Sequence, residues 1–240
     1  GSILSSQLCY ELIVACGLSV SMGGKIDDSW PPKIDKLPTY DGNLYMVPGH
    51  GLNWPEYAYR INPKTNQPKE VRCVVLTRDP FDRLFSLFKY SWDGGESGLR
   101  HRSRDMKSMK TLEERVQYVW NEYGKGSLEV THETLMKSLS GKYGCIQVKA
   151  DDLFKGGDSF DAAAKRILEK WNMLPEVIPT LVKWFQNHDL SRQPKEKVEN
   201  NEHVSGKSIS KQEKNRIKSI MTQDESIMAV IRKQRKDLNY

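Results

Sequence analysis

Cysteine is scarce here: four residues in 240, at positions 9, 16, 73 and 145. None shows the Cys-x-x-Cys spacing of a zinc site, which excludes the commonest structural metal motifs. Cys9 and Cys16 fall in one expected helix, and Cys73 and Cys145 in expected core strands, where a thiol acts as a small buried apolar residue. That usage points to a reducing, cytoplasmic compartment, with a secretory-pathway lumen as the alternative if an N-terminal anchor has been removed. Long hydrophobic runs are missing as well. No apolar stretch approaches the roughly 20 residues that span a bilayer, and no secretory signal is visible. The sequence has no Gly-x-x-x-x-Gly-Lys-Ser/Thr loop and no clear carboxylate pattern for magnesium, so an ATP-dependent kinase of the P-loop type lacks its motif. Internal repeats and low-complexity domains are absent too.

What is present suits one globular α/β domain over 1–240. Hydrophobic residues make up 38% and charged residues 28%, in the ordinary range, and the length allows a sizeable core. The net charge of +6 fits an anionic ligand and does not by itself imply nucleic acid.

The most informative segment runs from Cys73 to Ser86. The β-branched run Cys73-Val74-Val75-Leu76-Thr77 ends at Arg78-Asp79-Pro80, and Phe81, Leu84, Phe85 and Phe88 then recur at helix spacing. Pro80 suits a first helical turn, where its missing N–H has no partner to lose. Arg78 therefore stands where a buried strand ends and a helix begins, the place at which open α/β sheets bind ligands. Ser86 follows about two turns along the helix, and a guanidinium fork and a hydroxyl so placed can hold one phosphate. An ordinary helix start, with Arg78 or Arg83 paired to Asp79 or Asp82 on the surface, is the plain alternative.

This segment resembles the 3′-phosphate signature of sulfotransferases, which take sulfuryl from 3′-phosphoadenosine-5′-phosphosulfate (PAPS) and release adenosine 3′,5′-bisphosphate (PAP). The resemblance implies that Arg78 and Ser86 hold the 3′-phosphate. It extends to the chain start, where Gly1, Ser2, Ile3 and Leu4 lead into an expected helix and match the place of the 5′-phosphosulfate loop. Backbone N–H groups ahead of a helix bind phosphate well. The family's loop follows a strand and a basic residue, whereas this sequence starts at the glycine and has Ile3 at the second hydroxyl position. Gly-Ser is also a common cloning remnant.

His50, in Tyr45-Met46-Val47-Pro48-Gly49-His50-Gly51, matches the family's strand-end general base. Imidazole titrates near neutrality and can take the proton of an attacking acceptor hydroxyl. A second expected strand, Tyr143 to Lys149, runs into the acidic pair Asp151 and Asp152, which cap the next turn or brace the site. The polar segment His203 to Lys207 is a candidate for the family's basic loop over the donor, although it lacks the Arg-Lys-Gly form.

The resemblance implies a mostly parallel central sheet with helices on both faces. The implied activity is metal-free, PAPS-dependent sulfuryl transfer to a hydroxyl or amine of a carbohydrate or small-molecule acceptor. A binding module that keeps the donor site without the loop base is the alternative, and Mg-dependent ATP turnover would revive the kinase reading. Further helices are expected over 112–123, 131–139, 160–174 and 175–188. Another starts at Ser210, whose capping box is completed by Glu213, and continues beyond Asp224. The stretch Tyr90 to Ser108 reads as a mobile basic loop.

Overall fold

The computed structural model describes residues 74–94, 100–141, 144–194 and 208–240. The described chain is mostly helical and contains one pair of strands, β1 (Val74–Thr77) and β2 (Ile146–Lys149). They pair in parallel, Val74 opposite Ile146 and Thr77 opposite Lys149. A parallel pair needs a long crossover, and helices supply it. The expected α/β character is thus present in part: two parallel strands are seen, and a larger central sheet is not shown among the described residues. Contacts divide the described chain into two units.

The first unit contains residues 74–77 and 137–193. Alternation along the strands puts Val74 and Leu76 on the same face as Ile146 and Val148. That face packs on a core of Phe160, Ala163, Ala164, Ile167, Leu168, Ile178, Leu181 and Phe185. After the short helix α5 (Ala150–Lys155), α6 (Gly157–Lys170) supplies the first five of these core residues and α7 (Ile178–Phe185) the last three. Asp152 in the first turn of α5 pairs with Lys155, and no side chain caps that helix. Gly156 joins α5 to α6 at φ 71° and ψ −171°, a conformation that is essentially glycine's alone. A Cβ there would lie 2.1 Å from the Ser191 hydroxyl and 2.6 Å from Asp189 Oδ1.

The second unit contains 78–136 with the C-terminal helices. Helix α1 (Pro80–Asp93) has Asp79 as its N-cap, which accepts from the N–H groups of Phe81 and Asp82 at 2.9 and 3.2 Å. It ends at Gly94, whose φ of 61° allows its N–H to reach the Tyr90 carbonyl. Leu84, Phe85, Phe88 and Ser91 are buried. Leu84, Phe85 and Phe88 meet α3 (Leu112–Val119), a π-helical turn over Trp120–Gly124, α4 (Lys125–Leu139), α8 (Lys211–Gln223) and α9 (Glu225–Asp237) in one apolar core.

Three expectations are corrected here. The stretch read as a mobile basic loop is largely helical: Tyr90–Asp93 belong to α1, and α2 spans Arg100–Ser108. Its anchors are the buried Met106 and Ser103, which donates to the Trp92 carbonyl at 2.7 Å. The helix expected to run through Asp224 is two helices, because Asp224 accepts from Ser226 and Ile227 N–H and caps α9. Cys145 is disulfide-bonded rather than a free buried thiol. The Ser210–Glu213 capping box is present in full.

Candidate anion site

Of the residues singled out in the sequence, Arg78 and Ser86 lie in the second unit and can be placed. Gly1, Ser2, Ile3, Leu4, His50 and Lys207 lie outside the described residues, as do Cys9, Cys16 and Cys73.

The expected surface ion pair would run through Asp79, and the structure shows where that carboxylate goes. Its Oδ2 accepts from Arg235 Nε at 2.6 Å, and its Oδ1 accepts from Arg235 Nη2 at 3.0 Å and from the two N–H groups of α1. The carboxylate that adjoins Arg78 in sequence is thereby committed to α9 and to the helix cap. Burial raises the Asp79 pKa, but the Arg235 and backbone hydrogen bonds outweigh it and hold the carboxyl below its usual range.

Arg83 is half-buried, and its Nη2 donates to Ser127 Oγ at 3.4 Å and to Thr131 Oγ1. These hydroxyls, one turn apart on α4, are neutral partners. Burial first, and then repulsion from Arg78, push the Arg83 pKa down to about 10. The second cause places the positive charge of Arg78 near Arg83.

Lys89 continues the same pattern. Positions 82, 86 and 89 recur at four- and three-residue steps, so Asp82, Ser86 and Lys89 follow one stripe along α1, and Arg78 comes just before the N-cap. Burial, and then the positive charges of Arg78, Lys214 and Lys218, lower the Lys89 pKa, while Asp82 partly opposes them. Arg78 acts on Lys89 as well as on Arg83, so its guanidinium charge lies close to the stretch of α1 that carries Ser86. Ser86 is half-exposed and lies one turn before Lys89 on α1.

The Phe85 ring draws in two of these ammonium groups. Lys89 Nζ lies 5.1 Å and Lys218 Nζ 4.9 Å from its centroid, within cation–π range. Lys214, one turn before Lys218 on α8, completes the group. Among the described residues, Arg83, Lys89, Lys214 and Lys218 form no ion pair. Asp82 acts on Lys89, but three acids of the surrounding helices are engaged elsewhere. Glu213 closes the capping box, Glu113 pairs with Arg216 at 3.1 Å, and Glu225 pairs with Arg232.

Two clefts of the second unit do not include these residues. One, of about 320 Å³, lies between Lys110, Arg115 and Arg216. The other, of about 490 Å³, is lined by Glu129, His132, Lys233 and Gln234.

The sequence reading missed Arg83, Lys89, Lys214 and Lys218. Lys89 had a signal, since it follows Ser86 by one turn. Lys214 and Lys218 had only their mutual spacing, and their approach to α1 is a tertiary fact. No family model, curated protein or solved structure matches the chain, so the site rests on its own geometry and chemistry. That chemistry suits a multiply charged oxyanion: the Ser86 hydroxyl and Lys89 on α1, with Lys214 and Lys218 of α8 and the charge of Arg78 acting on Lys89, and Asp82 offsetting only part of it.

Proposed function

We propose that the chain is a sulfotransferase that moves a sulfuryl group from PAPS to an acceptor hydroxyl or amine. The observation that carries this reading is the gathering of Lys89, Lys214 and Lys218 at α1, whose stripe carries Ser86 one turn before Lys89 and starts just after Arg78. A 3′-phosphate dianion suits that stripe in charge, and the Arg78-to-Ser86 spacing is the one the sulfotransferase resemblance calls for. On this reading, β1 and β2 are two strands of a larger, mostly parallel sheet with helices on both faces.

Arg78 and Ser86 hold the 3′-phosphate. Ser2 and the N–H groups of Gly1, Ile3 and Leu4 receive the 5′-phosphosulfate, and Lys207 closes on the donor from the C-terminal side. His50 takes the acceptor proton as the acceptor oxygen or nitrogen bonds to sulfur and the sulfur–oxygen bond to the 5′-phosphate breaks, releasing PAP. The positive field of the site favours charge building up on that leaving oxygen. The acceptor is a carbohydrate or another small molecule. The disulfide at Cys145 favours the secretory-pathway lumen, because such bonds persist in oxidising compartments.

The test is calorimetric titration of the full chain with PAP and with adenosine 5′-monophosphate, each repeated with Arg78→Ala. Binding that requires both the 3′-phosphate and Arg78 supports the donor site. An acceptor screen with labelled PAPS and a His50→Ala control then follows. Equal binding of the two nucleotides removes the sulfotransferase reading.

A further inference from the structure

Three lysines of the second unit gather where mutual repulsion should separate them. Lys214 and Lys218 are four residues apart on α8, a spacing at which like charges destabilise a helix. Lys218 and Lys89, from different helices, share the Phe85 ring at 4.9 and 5.1 Å. The ring's negative face offsets part of the repulsion between them, but it does not neutralise them, and among the described residues none of the three forms an ion pair. The contrast within α8 is informative, because the same helix satisfies Arg216 with Glu113 and caps itself with Glu213. Of the three α8 lysines with no ion pair among the described residues, Lys214 and Lys218 are those whose charge acts on Lys89, one turn from Ser86.

We infer that α8 forms the second wall of the anion site, with Lys214 and Lys218 joining Arg78, Ser86 and Lys89 in binding one phosphoryl dianion. The inference rests on the donor reading for the identity of that phosphoryl group, the 3′-phosphate of PAPS and PAP. It makes the C-terminal helix part of donor specificity, since a nucleotide without a 3′-phosphate has nothing to offer these lysines. The Ser210 capping box then has a functional consequence, because it fixes the first turn of α8 and with it the position of Lys214.

The test is calorimetry on the full chain, comparing wild type, Lys214→Gln, Lys218→Gln, the double variant and Lys211→Gln. Lys211 is an exposed lysine at the start of the same helix, so its loss controls for net charge. Each single change at 214 or 218 is expected to weaken PAP binding about threefold to fivefold, and the double change about tenfold or more. The double change should also flatten the salt dependence of binding, while Lys211→Gln stays near wild type. A double variant that binds PAP like wild type overturns the inference, as does an equal loss with Lys211→Gln; neither result touches the Arg78 reading. If wild type does not prefer PAP to adenosine 5′-monophosphate, the donor reading falls and titration with inorganic pyrophosphate decides the inference. Pyrophosphate binding that is lost in the double variant upholds the grip. Pyrophosphate that does not bind, or binds regardless of the lysines, overturns it.

Discussion

Arg192 in the first unit and Arg83 in the second show two ways of keeping a guanidinium within a fold. Arg192 donates to both oxygens of Asp161, at 2.7 and 2.9 Å, and lies 3.3 Å from Asp189. Asp189, almost fully buried, also accepts from the N–H groups of Gly157 and Ser191 at 2.8 and 2.9 Å. Charges there close on one another and tie the turn after α7 to the start of α6. Among the described residues Arg83 has only hydroxyl partners, and its cationic neighbour Arg78 also acts on Lys89, where Lys214 and Lys218 gather. The first arrangement is complete as it stands and reads as structural. The second leaves positive charge in excess, which an incoming oxyanion can neutralise, and this is why we assign it function.

The largest effect that would separate the two regions is expected at Asp189. Asp189→Ala leaves two N–H groups and Arg192 without their shared carboxylate and should cost about 3 kcal/mol in chemical denaturation. A loss near zero would dissolve the structural half of the contrast. In the second unit, Arg78→Ala should leave the unfolding midpoint nearly unchanged but reduce PAP affinity about 10- to 100-fold, the range of one or two charge-assisted hydrogen bonds. A variant that unfolds early and binds normally would reverse the assignment.

Asp79→Ala removes a helix cap and the Arg235 fork together, and should cost about 1–2 kcal/mol in the same denaturation assay. Asp79 also sets an acid limit. Its folded pKa lies below its unfolded one, so its stabilisation is complete above about pH 4 and is lost as pH falls through the lower, folded value. Denaturation curves on the acid side should therefore be shallower for Arg235→Gln than for wild type. The smallest effect is expected from Arg83→Met, because replacing a half-buried cation that lacks a carboxylate with an apolar chain of similar length is neutral within about 1 kcal/mol. A large loss would show that the two hydroxyl contacts stabilise the fold strongly and would blur the contrast.

The strand-to-helix junction at Arg78 was legible because three local signals agree there: a β-branched run, a proline suited to the first turn, and helical apolar spacing. The Ser210 capping box was legible for the same reason. Helix α2 was not, because only Ser103 and Met106 of its nine residues are buried and so few apolar positions leave no period to read. The break at Asp224 was hidden by helical patterns on both sides. The pairing of Asp79 with Arg235 joins residues 156 positions apart, and no sequence window holds both. The gathering of Lys214 and Lys218 toward Lys89 is likewise created by packing, so the chemical part of the site was half legible: its first two residues came from a motif, the rest from tertiary structure.

Hydrogen exchange of the full chain, measured by mass spectrometry with and without saturating PAP, tests the contrast most directly. The account predicts that PAP slows exchange in peptides covering 78–93 and 211–223 and leaves those covering 157–193 unchanged. Slowed exchange confined to 157–193, or no change at 78–93 under conditions where PAP is bound, would contradict it.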